Sequence, residues 1–241
     1  MPHAYKALAL IATLALPMSA DAAPARRAAP RPSATTPAPV PARAYVTLST
    51  ASGNIVLELN GEKAPVSTAN FLRYVDQHRL DGTTFYRAVN VGQGAGLIQG
   101  GTRNAPRRVL PPIAHEPTNV TGLSHIDGAI SYARLAPGSA TADFFITVGA
   151  LTSLDAHPGA PGDNAGFAVF GRVVQGMDVV RAILSAPINP AAGAENGMQG
   201  QMIAAPVTIT RAVRSEAPAP PLAPATPPPA TPAAPQPVAQ P

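Results

Sequence analysis

The 241-residue chain has no cysteine. It can therefore form no disulfide, offers no thiolate to a zinc ion, and carries no thiol for a lipid anchor. Nor does it contain a run of about 18 apolar residues, the length a helix needs to cross a bilayer, so no integral membrane association is expected. Aromatic residues make up 5% of the chain, and Arg26, Arg27, Arg31 and Arg43 account for its whole net charge of +4. A nucleic-acid binder needs a basic face interleaved with aromatics, so no nucleic acid is expected as a partner. His78, His115, His125 and His157 show no paired ligand spacing, and no metal site is expected. The Gly-rich "GLIQGG" is not followed by Gly-Lys-Ser/Thr, which excludes a phosphate loop, and no Gly-x-Ser-x-Gly elbow marks a hydrolase. Asn119-Val120-Thr121 fits a glycosylation sequon and is read as loop sequence.

Proline is abundant but unevenly placed: of 30, six fall between Ala23 and Ala44 and eleven between Ser215 and Pro241. Those segments lack the large apolar side chains that could offset the entropy of folding, and are expected to be disordered tethers. Before them, Lys6 precedes the apolar run "ALALIATLAL", broken at Pro17 and followed by Ala20-Asp21-Ala22. This has the form of a secretory signal peptide cleaved near Ala22. The expected organisation is a signal peptide (1–22), a Pro/Ala/Arg-rich linker (23–44), one folded domain (45–214) and a Pro/Ala-rich tail (215–241), in a periplasmic or secreted protein.

Within the domain, "AYVTLST" and "GNIVLELN" alternate on either side of a turn and read as a hairpin. "APVSTANFLRYVDQHRL" reads as a helix with Pro65 near its start and Val66, Phe71, Leu72 and Val75 on one face. "TTFYRAV", "GLIQGG", "GAISYAR", "DFFITVG" and "AVFGRVV" are short, apolar and bounded by turn residues. "GMDVVRAILSAP" gives a second helix with Met177, Val180 and Ile183 on one side, and "APVTITRAV" a last strand. Many short strands with two helices predict a closed or nearly closed antiparallel barrel.

The stretch "FYRAVNVGQGAGLIQGG" (85–101) places one arginine among aromatics ahead of a backbone almost free of side chains. Taken with "VSTANFLRYV", "GAISYAR", "DFFITVG", "SLDA" and "FAVFGRVVQGMDVVRAI", in that order and spacing, it resembles the cyclophilin-type peptidyl-prolyl cis-trans isomerases over residues 45 to 213, most of all their bacterial exported branch. The resemblance implies a mainly β fold, an eight-stranded antiparallel barrel capped by two α-helices. It also implies a shallow outer groove for proline-containing polypeptides, no cofactor and no metal, and the chain is expected to be a monomer.

By the same resemblance Arg87 is the catalytic residue, and Gln99, Leu97, Ala133, Phe145, Leu154 and Phe167 bind substrate. Phe85 and Phe144 are expected in the barrel core, because neighbours on a strand face opposite ways. The chemistry suits an arginine: amide resonance sets an isomerisation barrier of about 18 to 20 kcal/mol, and a fixed donor aimed at the prolyl nitrogen as it becomes pyramidal lowers it.

The chain departs from the family pattern at several places, among them the longer link "NVGQGA" between Arg87 and Gln99. Gly96 stands for a pocket phenylalanine, which predicts an incomplete aromatic wall. Arg134 replaces an asparagine and Asp143 a glutamine, both still within reach of a peptide backbone. Ser153 takes a tryptophan position linked to cyclosporin binding. Two functions remain in play: an isomerase for slow X-Pro steps in the folding of envelope or secreted proteins, or a barrel that keeps its peptide groove as a binding or chaperone module with weakened turnover.

Overall fold

The computed structural model describes residues 39 to 219. The expected signal peptide, the linker up to residue 38 and the tail from residue 220 lie outside the described residues.

The first hairpin forms as its alternation requires. Strand β1 (Arg43–Thr50) pairs with β2 (Gly53–Asn60) so that Val46 faces Leu57 and Leu48 faces Ile55, all four buried. Helix α1 (Pro65–Asp76) follows, then β3 (Thr83–Gly92) and β4 (Ala95–Gly101). A four-residue helix α2 (Thr118–Thr121) precedes β5 (Ala129–Tyr132) and β6 (Phe144–Val148). Strand β7 (Val169–Gln175), helix α3 (Met177–Leu184) and the long β8 (Met202–Ser215) complete the order.

The strands close into one antiparallel barrel in the order β1-β2-β7-β5-β6-β4-β3-β8. Strand β8 makes the closure, pairing near its C-terminal end with β1 and nearer its N-terminal end with β3. The expected eight-stranded barrel is therefore present, with α2 as a helix beyond the expected pair. The first strand begins at Arg43, two residues before the expected domain start, and the Ala42 carbonyl accepts the Glu62 N–H at 3.1 Å.

Phe85, Phe144 and Phe170 are fully buried, the first two as expected. Helix α1 presses Phe71 onto this cluster, 5.4 Å from the Phe144 ring and edge-on to it, and 5.4 Å from Phe170. Its buried face carries Phe71, Leu72, Tyr74 and Val75, but Val66 is 39% exposed, contrary to expectation. At about 100° per residue Val66 stands on the far side of the helix from the centre of Phe71, Leu72 and Val75. In α3, Val180 and Ile183 are buried and Met177 partly so.

Candidate active site

Strands β3 and β4 build the outer face on which Arg87 sits. Phe85 pairs with Gly100, but Arg87, two residues on, pairs with Gln99, so Tyr86 is an extra residue in β3. A bulge of this kind bends a strand and re-aims its side chains. Here it brings both Tyr86 and Arg87 against Gln99. The bare backbone of β4 has a packing cause: a Cβ on Gly100 would lie 2.8 Å from Cδ1 of Phe85, and one on Gly101 2.7 Å from Cα of Asp143.

The Arg87 guanidinium is half-buried and held from two sides. Its Nη1 donates to Oε1 of Gln99 at 2.7 Å, while Nε and Nη2 donate to Oε1 of Gln201 at 2.7 and 2.5 Å. Burial lowers its pKa, yet a guanidinium starts so high that it stays cationic. A guanidinium has five N–H donors, and these three bonds leave one N–H on each terminal nitrogen for another acceptor.

A second set of contacts fixes the sense of the Gln99 amide. Nε2 of Gln99 donates to the Tyr86 hydroxyl at 2.8 Å, and that hydroxyl donates to Oδ2 of Asp143 at 3.2 Å. Burial, reinforced by the Asp143 charge, pushes the Tyr86 phenol far above its ordinary pKa, so it remains a donor. Burial also pushes the Asp143 carboxyl upward, against the N–H of Arg103, which donates to Oδ1 at 2.8 Å. With the hydroxyl committed to the carboxylate, it accepts from the amide nitrogen, and the amide oxygen must face Arg87. Asp143 is thus occupied in supporting Tyr86, the expected reach toward a peptide backbone notwithstanding.

The other expected residues gather beside this centre. Across the sheet Arg87 pairs with Gln99, Gln99 with Phe145, and Phe145 with Ser131, so these four form one row over β3, β4, β6 and β5. Leu97, two residues before Gln99, is on the same face and partly exposed. The Phe145 ring lies 5.6 Å from the buried His125 ring, nearly parallel, and 5.4 Å from Phe167, edge-on. Phe167 is tied to Leu154, whose carbonyl accepts its N–H at 3.0 Å, and the Ala133 N–H donates to the Asp143 carbonyl at 2.9 Å.

Two departures from the family pattern have structural explanations that correct the expectations. The Arg134 side chain is engaged within the protein. Its side chain is 3% exposed, grips both carboxylate oxygens of Asp163, donates from Nε to the Gly166 carbonyl at 2.8 Å, and lies over the Phe167 ring at 5.1 Å. It braces the wall. Gly96 marks a close backbone approach, since any Cβ there would collide with the Val89 carbonyl and come within 3.0 Å of Leu184. That direction leads to β3 and α3, so Gly96 is not a gap in the aromatic wall.

A cavity of about 250 Å³ opens beside Leu154 and Phe167, and another of about 450 Å³ lies behind Gln201. Among the described residues no group of three or more His, Asp or Glu gathers as a metal site. Nor is any helix there long and apolar enough to cross a membrane. Tyr86 and Gln201 join the site beyond the residues expected from the sequence. Tyr86 adjoins the arginine in "FYR" and was legible by position; Gln201 was not.

A family model described as cyclophilin type peptidyl-prolyl cis-trans isomerase/CLD matches residues 45–213. The chain belongs to the cyclophilin family. As a cyclophilin it is a peptidyl-prolyl cis-trans isomerase and acts on proline-containing peptides. It is 39% identical over 150 residues to a peptidyl-prolyl cis-trans isomerase of Acinetobacter baylyi, covering 61% of this chain and 74% of the relative. It is 42% identical over 142 residues to the isomerase cyp18 of Streptomyces antibioticus, covering 57% and 81%. A solved cyclophilin of Cryptosporidium parvum shares the fold, with a TM-score of 0.55 at 19% identity over 73% of this chain and 99% of that one.

Proposed function

We propose that Arg87 performs the catalysis in this cyclophilin, by donating to the prolyl nitrogen of an X-Pro bond as it twists. The observation that carries this is the anchored guanidinium with one N–H free on each terminal nitrogen. A planar amide nitrogen has no lone pair to offer such a donor; the pyramidal nitrogen of the transition state has. The interaction therefore strengthens only as the bond twists, which is what lowers a barrier rather than deepening a binding well.

Phe145, Leu97, Leu154 and Phe167 receive the proline ring beside the arginine, Ala133 leaves room for extended backbone, and Gln99 both holds Arg87 and contacts substrate with its remaining amide hydrogen. Arg87→Ala should lower kcat/KM about 100-fold, about 3 kcal/mol, the scale of one preorganised donor. Arg87→Lys should recover little, because an ammonium cannot engage Gln99 and Gln201 as a planar fork does. A folded Arg87→Ala protein with wild-type turnover would overturn the assignment.

We further propose that the protein belongs to the bacterial exported branch and serves, as a monomer, in the folding of envelope or secreted proteins. Support comes from Lys6, the apolar run after it and the small residues ending at Ala22, with the Pro-rich linker and tail flanking the domain as spacers. Mass spectrometry of the exported chain should find a mature terminus at or near Ala23. An intact Met1 terminus in a membrane pellet is the contrary result.

A further inference from the structure

The contact of Gln201 with Arg87 spans 114 positions of sequence and is made by a residue outside the expected site. Gln201 ends the segment that runs from α3 to β8. Its backbone is fixed on both sides: its N–H donates to the Met198 carbonyl at 3.0 Å, and its carbonyl accepts the Ala88 N–H at 2.9 Å. The register between β3 and β8 explains how it arrives there. Phe85 pairs with Val207, but Arg87 pairs with Met202, so five residues of β8 answer two of β3. The slack is taken up by Ala204, Ala205 and Pro206, all exposed, and Gln201 is drawn level with the arginine.

We propose that Gln201 is a positioning residue for the isomerase, setting the plane of the Arg87 guanidinium. This rests on the reading of Arg87 as catalytic. One oxygen of Gln201 accepts from two nitrogens, Nε and Nη2, and Gln99 takes the third, Nη1. Gln99 alone, with one hydrogen bond at Nη1, leaves the group free to swing about that contact; the added grip on Nε and Nη2 stops that motion and turns the unused N–H groups one way. A cavity of about 450 Å³ bordered by Val89, Leu184 and Gln201 lies behind that side chain, so shortening or replacing it leaves Nε and Nη2 without their fixed acceptor. The loss should thus appear in turnover and not in binding, because the proline wall at Phe145 and Phe167 is untouched.

The test uses the full chain and two-dimensional NMR exchange on a proline peptide, which reads turnover and affinity separately, together with solvent exchange of the Arg87 Nε–H. Gln201→Met keeps the length and removes the acceptor; it should lower kcat about 10-fold and change affinity less than about 2-fold, a misplacement effect, while the Nε–H exchanges faster. Gln201→Glu keeps an acceptor and should stay within about 3-fold of wild type. Wild-type turnover in a folded Gln201→Met protein overturns the proposal, as does an equal loss in both variants. If Gln201→Met does not fold, the Nε–H of the wild-type chain decides, and exchange as fast as that of an exposed arginine overturns the proposal. Arg87→Ala run alongside separates the two ideas: if it retains activity the reading of Arg87 fails, and if it loses activity while Gln201→Met does not, only the role of Gln201 fails.

Discussion

At His125 the fold buries a titratable ring completely and gives both of its nitrogens partners. Nδ1 lies 2.5 Å from Oδ1 of Asp155 and Nε2 3.1 Å from Oγ of Ser131, with Phe145 stacked on one face. An Nδ1–H donating to the carboxylate leaves Nε2 to accept the Ser131 hydroxyl, which suits the neutral ring. Ser, His and Asp meet here in the order of a nucleophilic triad, but Ser131 is wholly buried, and the arrangement serves the wall behind Phe145. Burial holds the His125 pKa below its ordinary value, against the pull of Asp155. Burial pushes Asp155 up, yet hydrogen bonds from Ser124 and His125 outweigh it and hold that carboxyl below its ordinary range.

Both shifts have one sign for stability: on acidification the unfolded chain takes up these protons before the folded one does. Stability from His125 is complete above the unfolded imidazole value of about 6.5 and falls as the pH drops below it; Asp155 adds a further loss below about 4. Melting temperature should therefore decline between pH 7.5 and 5.5. His125→Asn, which keeps a donor for Asp155 but does not titrate, should flatten that decline. An unchanged slope in the variant would show that other groups govern the acid limb.

Among the elements, α1 depends on a distant residue. Its N-cap position is Ala64, its first turn holds no acidic residue, and its exposed amides are met by Glu116, which accepts from Val66 N at 3.0 Å and Ser67 N at 2.8 Å. A carboxylate at a helix N-terminus satisfies orphan donors and opposes the positive end of the helix dipole. Glu116→Ala should cost about 1 to 2 kcal/mol and lower the melting temperature a few degrees, with kcat/KM near wild type at 25 °C. No measurable loss would mean that water replaces the carboxylate in full.

Neither this cap nor the bulge at Tyr86 could be read from the sequence, because each depends on pairing beyond the local period, with Glu116 about 50 positions from the helix start and Gln99 and Gly100 across the β3–β4 turn. What could be read were features with a local period. The alternation of β1 and β2, the turn residues bounding each strand and the apolar stripe of α3 all have one. Val66 faces solvent on a period that the sequence does carry, whereas α2, at four residues, is too short to show any. Arg87, Gln99 and Phe145 were legible through linked motifs, and Gln201 sits in a Gly-rich stretch, "NGMQGQ", with no pattern of its own.

For the molecule as a whole, the count of short strands led to the right architecture because a mainly antiparallel sheet of this size must close, stack or leave edges exposed. Closure has a consequence for clients. Every described strand already has a neighbour on each side, so a visiting polypeptide finds no open ladder to join. Strand addition, the mode that would hold a long stretch of its backbone, is closed to it. That matters here because cis and trans X-Pro differ by only about 0.5 to 1 kcal/mol. A ladder of backbone hydrogen bonds to one isomer would sequester it; a surface that offers no such ladder returns both to solution at the ratio the peptide itself dictates.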